Sequence, residues 1–169
     1  MKYKTIVIDP PWNTETGTFK TSHGHMNARP YKSMKDDEIL NFNINEYADD
    51  NCDLFLWTTN SKIDICFDIL KKWGFKYHCM MVWDKRNGVN ICGFQRSGEF
   101  VLYAYKGKMG VIRKSKYIPV VFQGKRKNHS RKPDEFFDLI TPKTQEPRIS
   151  IFEREKREGF DIWGDEAPE

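Results

Sequence analysis

The chain has 169 residues, of which 38% are hydrophobic, 14% aromatic and 31% charged, and its formal net charge is +4. This is the usual size of one domain, so a single domain over residues 1–169 is expected, and the aromatic content supplies enough area for a core. The mild positive balance permits a polyanionic partner without demanding one, and the absence of any apolar run approaching about 18 residues excludes a membrane-spanning helix.

The first strand is expected over residues 4–8, in the apolar run Thr5-Ile6-Val7-Ile8. It ends in Asp9-Pro10-Pro11-Trp12, where the prolines stop the ladder and leave Asp9 at the strand's carboxyl end. Residues 13–30 are rich in Gly, Thr, Asn and His without periodicity and read as a long loop of the kind that is often functional. His23-Gly24-His25 lies in that loop with no third ligand placed nearby, so no metal site is read there. Ser33, followed by Asp36, Asp37 and Glu38, signals a helix running to about Leu40. Asp49-Asp50-Asn51 reads as a turn, and the continuous run at 53–58 as a second buried strand. Asn60 or Ser61 then caps a helix whose apolar face is Ile63, Cys66, Phe67, Leu70 and Trp73 and whose end is marked by Gly74.

Residues 75–83 form the next predicted strand, Arg86-Asn87-Gly88 a turn, 87–98 a polar connection and 99–105 another strand. No helix separates these two strands, so they read as an antiparallel pair at one sheet edge. A short strand over 117–122, a helix over 134–140 opened by Pro133, and strands at 148–152 and 160–163 complete the pattern. Strands alternating with helices predict an α/β fold with a mostly parallel sheet and one antiparallel edge pair. Cys52, Cys66, Cys79 and Cys92 form no C-x-x-C pair and match no zinc spacing. With Met1-Lys2-Tyr3 leading straight into a strand, and so no signal peptide, the sequence reads as a cytoplasmic protein without disulfides.

The chemistry points to the first strand's end, because ligands of open α/β sheets sit just outside the carboxyl ends of strands. The amino nitrogen of a nucleobase is a poor nucleophile while its lone pair is delocalised into the ring. A carboxylate and a backbone carbonyl, each accepting one N–H, favour a pyramidal nitrogen with that lone pair free. Asp9 and the Pro10 carbonyl can do this, Pro11 helps fix the backbone, and Trp12 offers a face for stacking. On these residues alone, a Pro-Pro turn with Trp12 in the core is an equal reading.

Asp9-Pro10-Pro11-Trp12 resembles the catalytic motif of amino-group methyltransferases in its adenine-N6 form. Four further blocks fall in order: Pro30-Tyr31-Lys32-Ser33-Met34-Lys35-Asp36-Asp37-Glu38-Ile39, Leu54-Phe55-Leu56-Trp57-Thr58, Ser130-Arg131-Lys132-Pro133-Asp134-Glu135, and Ile151-Phe152-Glu153-Arg154 with the segment 159–166. Together they resemble the mRNA-adenosine methyltransferase (MT-A-seventy) family over nearly the whole chain, in its bacterial or phage-like form. The resemblance implies a Rossmann-like methyltransferase fold with a permuted motif order and S-adenosyl-L-methionine as methyl donor. It implies that Asp9 and Pro10 bind the target amino group and lie against the cofactor, and that Trp12 and Tyr31 flank the adenine. Lys132 would hold the cofactor carboxylate, with Arg154, Asp165 and Glu166 reaching its ribose. Asp165 departs from the family's usual Asn and loses the amide donor.

The expected reaction is methylation of adenine N6 in nucleic acid. DNA is placed ahead of RNA because the compact chain looks like the bacterial and phage members. The alternative is a non-catalytic nucleic-acid-binding partner of a methyltransferase, and a homodimer or a partner subunit stays open. The stretch from Arg113 to Lys132 contains Lys114, Lys116, Lys125, Arg126, Lys127 and Arg131 and no acid. It reads as the face that tracks phosphates, with Lys125, Arg126 and Lys127 at its centre.

Overall fold

Every residue from Thr5 to Ile8 is buried, because β1 (Tyr3–Ile8) is a central strand covered on both faces. The computed structural model describes residues 1–13, 33–91, 93–111, 117–126 and 131–164, with the backbone alone for 89–91. Beside β1 lie β2 (Ala48–Thr58), β3 (Lys76–Ile91), β4 (Phe94–Lys106), β5 (Val121–Gln123), β6 (Arg148–Ile151) and β7 (Asp161–Trp163). They form one seven-stranded sheet in the order β5-β3-β4-β2-β1-β6-β7. Both neighbours of β1 are parallel to it; β4 is antiparallel to β2 and β3, so it alone of these strands is reversed. The α/β reading and its antiparallel pair are found, with β5 lying outside that pair as the edge strand.

Side chains alternate across the sheet, as a period of two requires. Ile6, Ile8, Leu54, Leu56, Leu102, Ala104, Ile149 and Ile151 face one way. They pack with Ile39 of α1 (Asp36–Leu40) and with Cys66, Ile69, Leu70 and Trp73 of α2 (Ile63–Trp73). Val7, Phe55, Trp57, Val101 and Tyr103 face the other way, against Phe136, Phe137 and Ile140 of α3 (Asp134–Ile140). Burial on both faces explains why these strands read as continuous apolar runs. Among the described residues, no helix is long and apolar enough to cross a membrane.

Four local expectations change, each because pairing outweighs a local signal. Asp49-Asp50-Asn51 is not a free turn but part of β2: Ala48 pairs with Tyr3 and Cys52 with Lys106, and the irregularity survives only as a register shift against β1. Helix α1 begins after Lys35 rather than Ser33, because Met34 is held in a bridge with Trp12; the Glu38 carboxylate accepts the Lys35 N–H at 2.6 Å. The buried face of α2 uses Ile69, while Phe67 is 42% exposed and meets Tyr77 edge-on at 5.2 Å. The helix closes as expected, with Gly74 at φ 79° and the Phe75 N–H donating to the Leu70 carbonyl.

The fourth change is the largest. Arg86-Asn87-Gly88 makes a bulge, not the reversal, and strand pairing resumes beyond it from Val89 with Arg96 to Ile91 with Phe94. Arg86 has φ 59°, and a Cβ on Gly88 would stand 2.1 Å from the Arg96 carbonyl oxygen, so this close strand contact needs glycine. The polar connection is therefore a two-stranded arm, with Gly93 at φ 81° in its reversal. At the opposite rim of the sheet, the buried Asp53 carboxylate accepts the Tyr103 hydroxyl at 2.7 Å and the Gly110 N–H at 3.1 Å. This anchors the chain leaving β4.

The register of α2 gives a direct test. Ile69→Ala should lower stability by about 2–5 kcal/mol, the range for a fully buried aliphatic truncation, whereas exposed Phe67→Ala should cost under about 1 kcal/mol. Urea denaturation of the two variants would check this; equal losses would place Phe67 in the core.

Candidate active site

Prolines 10 and 11 end β1 at a defined point, and hydrogen bonds fix the turn beyond it. The Asp9 N–H donates to the Ile151 carbonyl at 3.2 Å, which ties the strand end to β6. The Pro10 carbonyl accepts the Trp12 N–H at 2.7 Å in a tight three-residue turn, leaving its second lone pair available. The Pro11 carbonyl accepts the Met34 N–H at 2.8 Å. Trp12 itself is only 6% exposed, and its indole N–H donates to the Trp57 carbonyl at 3.0 Å. This corrects the stacking role expected of Trp12: its ring is packed into the core under the turn, leaving no open face for a base, and it holds Asp9-Pro10-Pro11 against β2.

The carboxylate of Asp9 lies 3.1 Å from the Lys132 ammonium, and that ammonium also meets Glu99 at 2.9 Å. Lys132 stands 4.9 Å above the Trp57 ring, a cation–π placement on the sheet face covered by α3. Glu99 in turn pairs with Lys85, whose ammonium lies 5.2 Å from the centre of the Trp83 ring. The array alternates in sign from Asp9 to Lys85, along the rim where β1 and β2 end and β3 and β4 run on into their arm.

These charges decide how Asp9 titrates. Burial is the largest cause and raises its pKa to about 6; Lys132 opposes that rise, while Glu99 and Glu153 add to it. Lys132 is held above the usual lysine range by Asp9 and Glu99, which outweigh its own desolvation. Glu99 is shifted below the usual carboxylate range by Lys132 and Lys85 in spite of its burial.

Arg157 fixes the backbone that carries Lys132. Its guanidinium donates to the Lys132 carbonyl at 3.1 Å and to Glu153 at 3.4 Å, pairs with Asp134, and lies 4.3 Å over the Phe137 ring. Glu153 is buried and also accepts the Ser150 hydroxyl and the Arg154 N–H. At the end of β6, Phe152 adopts φ 62°, an uncommon conformation for a bulky residue, and its N–H donates to the Trp163 carbonyl. A Cβ on Gly164 would lie 3.0 Å from the Phe152 Cα, so the chain leaving β7 must pass close beside this strand end.

Between these pieces lies a narrow cleft of about 10 Å³. Asp9, Trp57, Lys132, Phe152, Glu153 and Arg154 are among its walls. The structure thus gathers Asp9, Pro10, Pro11, Lys132 and Arg154 at one site. Exposed Lys125 and Arg126 follow β5 on the same rim, about 19 Å from β1 by four strand spacings. Tyr31, Lys127, Asp165 and Glu166, together with the His23 and His25 pair, fall outside the described residues. Sequence reasoning missed Glu99 and Arg157. Glu99 had a signal, an acid opening the apolar run Phe100-Val101-Leu102; Arg157 sits in a run of charges at 153–158 that gave none.

An aspartate at the end of a central parallel strand, with a largely buried ammonium beside it over a cleft, forms the candidate site. A family model for MT-A70 matches residues 3–166. The chain is 30% identical to a type II methyltransferase, M.MunI, from Mycoplasma sp, over 99% of this chain and 79% of that protein. It is 29% identical, over 90% of its length, to the N(6)-adenosine-methyltransferase MT-A70-like protein of Drosophila melanogaster and to the N(6)-adenosine-methyltransferase catalytic subunit METTL3 of Homo sapiens. It spans only 24% and 26% of those two. The chain belongs to the MT-A70 family and is a methyltransferase.

The charge array predicts opposite shifts from its two outer groups. Glu99→Gln should move the Asp9 pKa below about 6, because it removes a repelling charge, and Lys132→Met should move it above about 6, because it removes the attracting one. Carboxyl-carbon NMR titration of Asp9 would read both. Shifts of the same sign would break the assignment.

Proposed function

We propose that the protein methylates the N6 amino group of adenine in nucleic acid, DNA ahead of RNA, using S-adenosyl-L-methionine. The observation that carries this reading is the Asp9 carboxylate in the wall of the cleft, 3.1 Å from the Lys132 ammonium, with the Pro10 carbonyl next to it in the chain. Similarity to a type II methyltransferase over 99% of this chain and 79% of that protein supports placing DNA first.

The cleft residues fit the methyl donor. Lys132 is a point-charge ammonium suited to a carboxylate, Phe152 supplies an apolar wall, and Arg154 a cationic donor in the same lining. Bound there, S-adenosyl-L-methionine supplies a methyl group on a cationic sulfur, already activated for transfer. Asp9 accepts one N6–H and Pro10 the other, which localises the nitrogen lone pair toward that methyl. Both acceptors are fixed in advance, Asp9 by its ion pair and Pro10 by its turn, so little reorganisation accompanies the reaction. Transfer would form the N6–carbon bond as the sulfur–carbon bond breaks, leaving neutral S-adenosylhomocysteine and a positive N6; the Asp9 carboxylate stabilises that charge and is placed to take the departing proton. In a duplex the adenine must leave the stack, since N6 faces its base partner. Tyr31 is assigned to the adenine, and Asp165 with Glu166 and Arg154 to the ribose of the donor. Lys125, Arg126 and Lys127 are assigned to phosphates, and residues 1–169 are read as one methyltransferase domain.

Because only the ionised carboxylate accepts an N–H with both oxygens open, kcat/KM should rise with pH through about 6 and fall away below it. A profile flat from pH 5 to 8 would remove Asp9 from this role. Asp9→Ala should lower turnover by at least about 10²–10³-fold while the fold persists, since Lys132 keeps Glu99 as its partner. Incubation with methyl-deuterated S-adenosyl-L-methionine and adenine-containing DNA or RNA, followed by nucleoside mass spectrometry, should yield deuterated N6-methyladenine. A folded protein that binds the donor but labels neither nucleic acid would overturn the proposal.

A further inference from the structure

The arm formed by β3 and β4 carries side chains that the cleft does not use. Phe94, Arg96, Gly98 and Phe100 recur at every second residue of β4 and so share one face of the sheet. The strip spans about 20 Å at the strand rise. A Cβ placed on Gly98 would approach Val82 at 3.4 Å and Phe100 at 3.8 Å, which fixes that shared face. Phe94 is 77% exposed, Arg96 is exposed, and Arg96 has no ion-pair partner among the described residues. A groove of about 660 Å³ runs along the strip, and Asn60, Val82, Asp84, Gln95, Ser97 and Val121 also line it. The acid in that wall is already engaged: Asp84 accepts the Arg86 N–H at 2.8 Å and a Gln123 amide N–H at 3.4 Å.

The strip and the catalytic charges sit back to back. Glu99, between Gly98 and Phe100, points to the other face and holds Lys132. The groove therefore starts one residue from the array that contains Asp9, and β5, the strand at its far wall, leads into exposed Lys125 and Arg126.

We propose that Phe94, Arg96 and Phe100 form a subsite for the unpaired nucleotides that flank the target adenine. This rests on nucleic acid being the substrate of the Asp9 site and names how the substrate strand is held. Aromatic faces separated by an unpaired guanidinium are what single-stranded nucleic acid uses: rings stack on successive bases and the cation meets a phosphate or stacks on a base. The gap at Gly98 lets a base reach the backbone floor. A protein partner would meet a free arginine between two rings and have to supply an acid for it; a strand of phosphates brings that charge at every residue.

The test is binding of a labelled single-stranded DNA of about twelve residues with one central adenine, a length within the usual range of such sites. Phe94→Ala should weaken binding roughly 5- to 100-fold, the loss of one stacked base, and Phe94→Trp should restore it. Arg96→Ala should weaken binding and flatten its salt dependence by about one phosphate contact. Methylation of a trinucleotide centred on adenine, too short to pass Phe100 and reach Arg96 or Phe94 at the far end of the strip, should stay at the wild-type rate in all three variants. If the variants weaken oligonucleotide binding but no N6-methyladenine forms with any substrate, the subsite stands and the assigned reaction falls. Unchanged oligonucleotide affinity in Phe94→Ala and Arg96→Ala overturns the subsite. So does a loss of self-association in sedimentation velocity with affinity unchanged, which would assign the strip to a second copy of the chain.

Discussion

One ammonium group between two carboxylates organises this site. Lys132 is within 3.1 Å of Asp9 and 2.9 Å of Glu99, over the face of Trp57. Buried charges are tolerated when paired, and removing one partner leaves the other uncompensated. Burial raises Asp9 to about 6 against the pull of Lys132, with Glu99 and Glu153 adding to the rise. The carboxylate is thus a stronger acceptor than a solvated aspartate, yet still ionised at neutral pH.

Three elements from distant parts of the chain build that arrangement. The parallel pairing of β1 with β6 brings Asp9 beside Phe152 and Glu153. The reversed strand β4 enters the sheet at Phe100 opposite Thr58, which sets Glu99 at the rim where its neighbours leave. Arg157 then joins Glu153, Asp134 and the Lys132 carbonyl, so the segment before α3 is clamped to the end of β6. A permuted motif order costs nothing in this architecture: first and late strands are neighbours, and the cleft forms between their ends.

Much of this was legible in the sequence. The run Thr5-Ile6-Val7-Ile8 and the prolines after Asp9 located the central strand and its acid, because buried parallel strands and ladder-breaking residues leave local marks. Lys132 and Arg154 were found only through the resemblance, since a lysine before a helix start carries no mark of an ion pair with residue 9. Trp12 was placed as a stacking face and proved a core residue, because side-chain direction after a Pro-Pro turn depends on contacts with Trp57 and Met34 far along the chain. The arm of β3 and β4 was read as a polar loop for a related reason: its cross-strand partners supply the order that its own composition does not.

The central claim is that Asp9 and the Pro10 carbonyl jointly accept the target amino group. A crystal structure with S-adenosylhomocysteine and an adenine-containing oligonucleotide tests it most directly. The account predicts adenine N6 within about 3.2 Å of both an Asp9 carboxylate oxygen and the Pro10 oxygen. An adenine bound in the cleft with N6 turned away from either acceptor, or a cytosine amino group in its place, would contradict it.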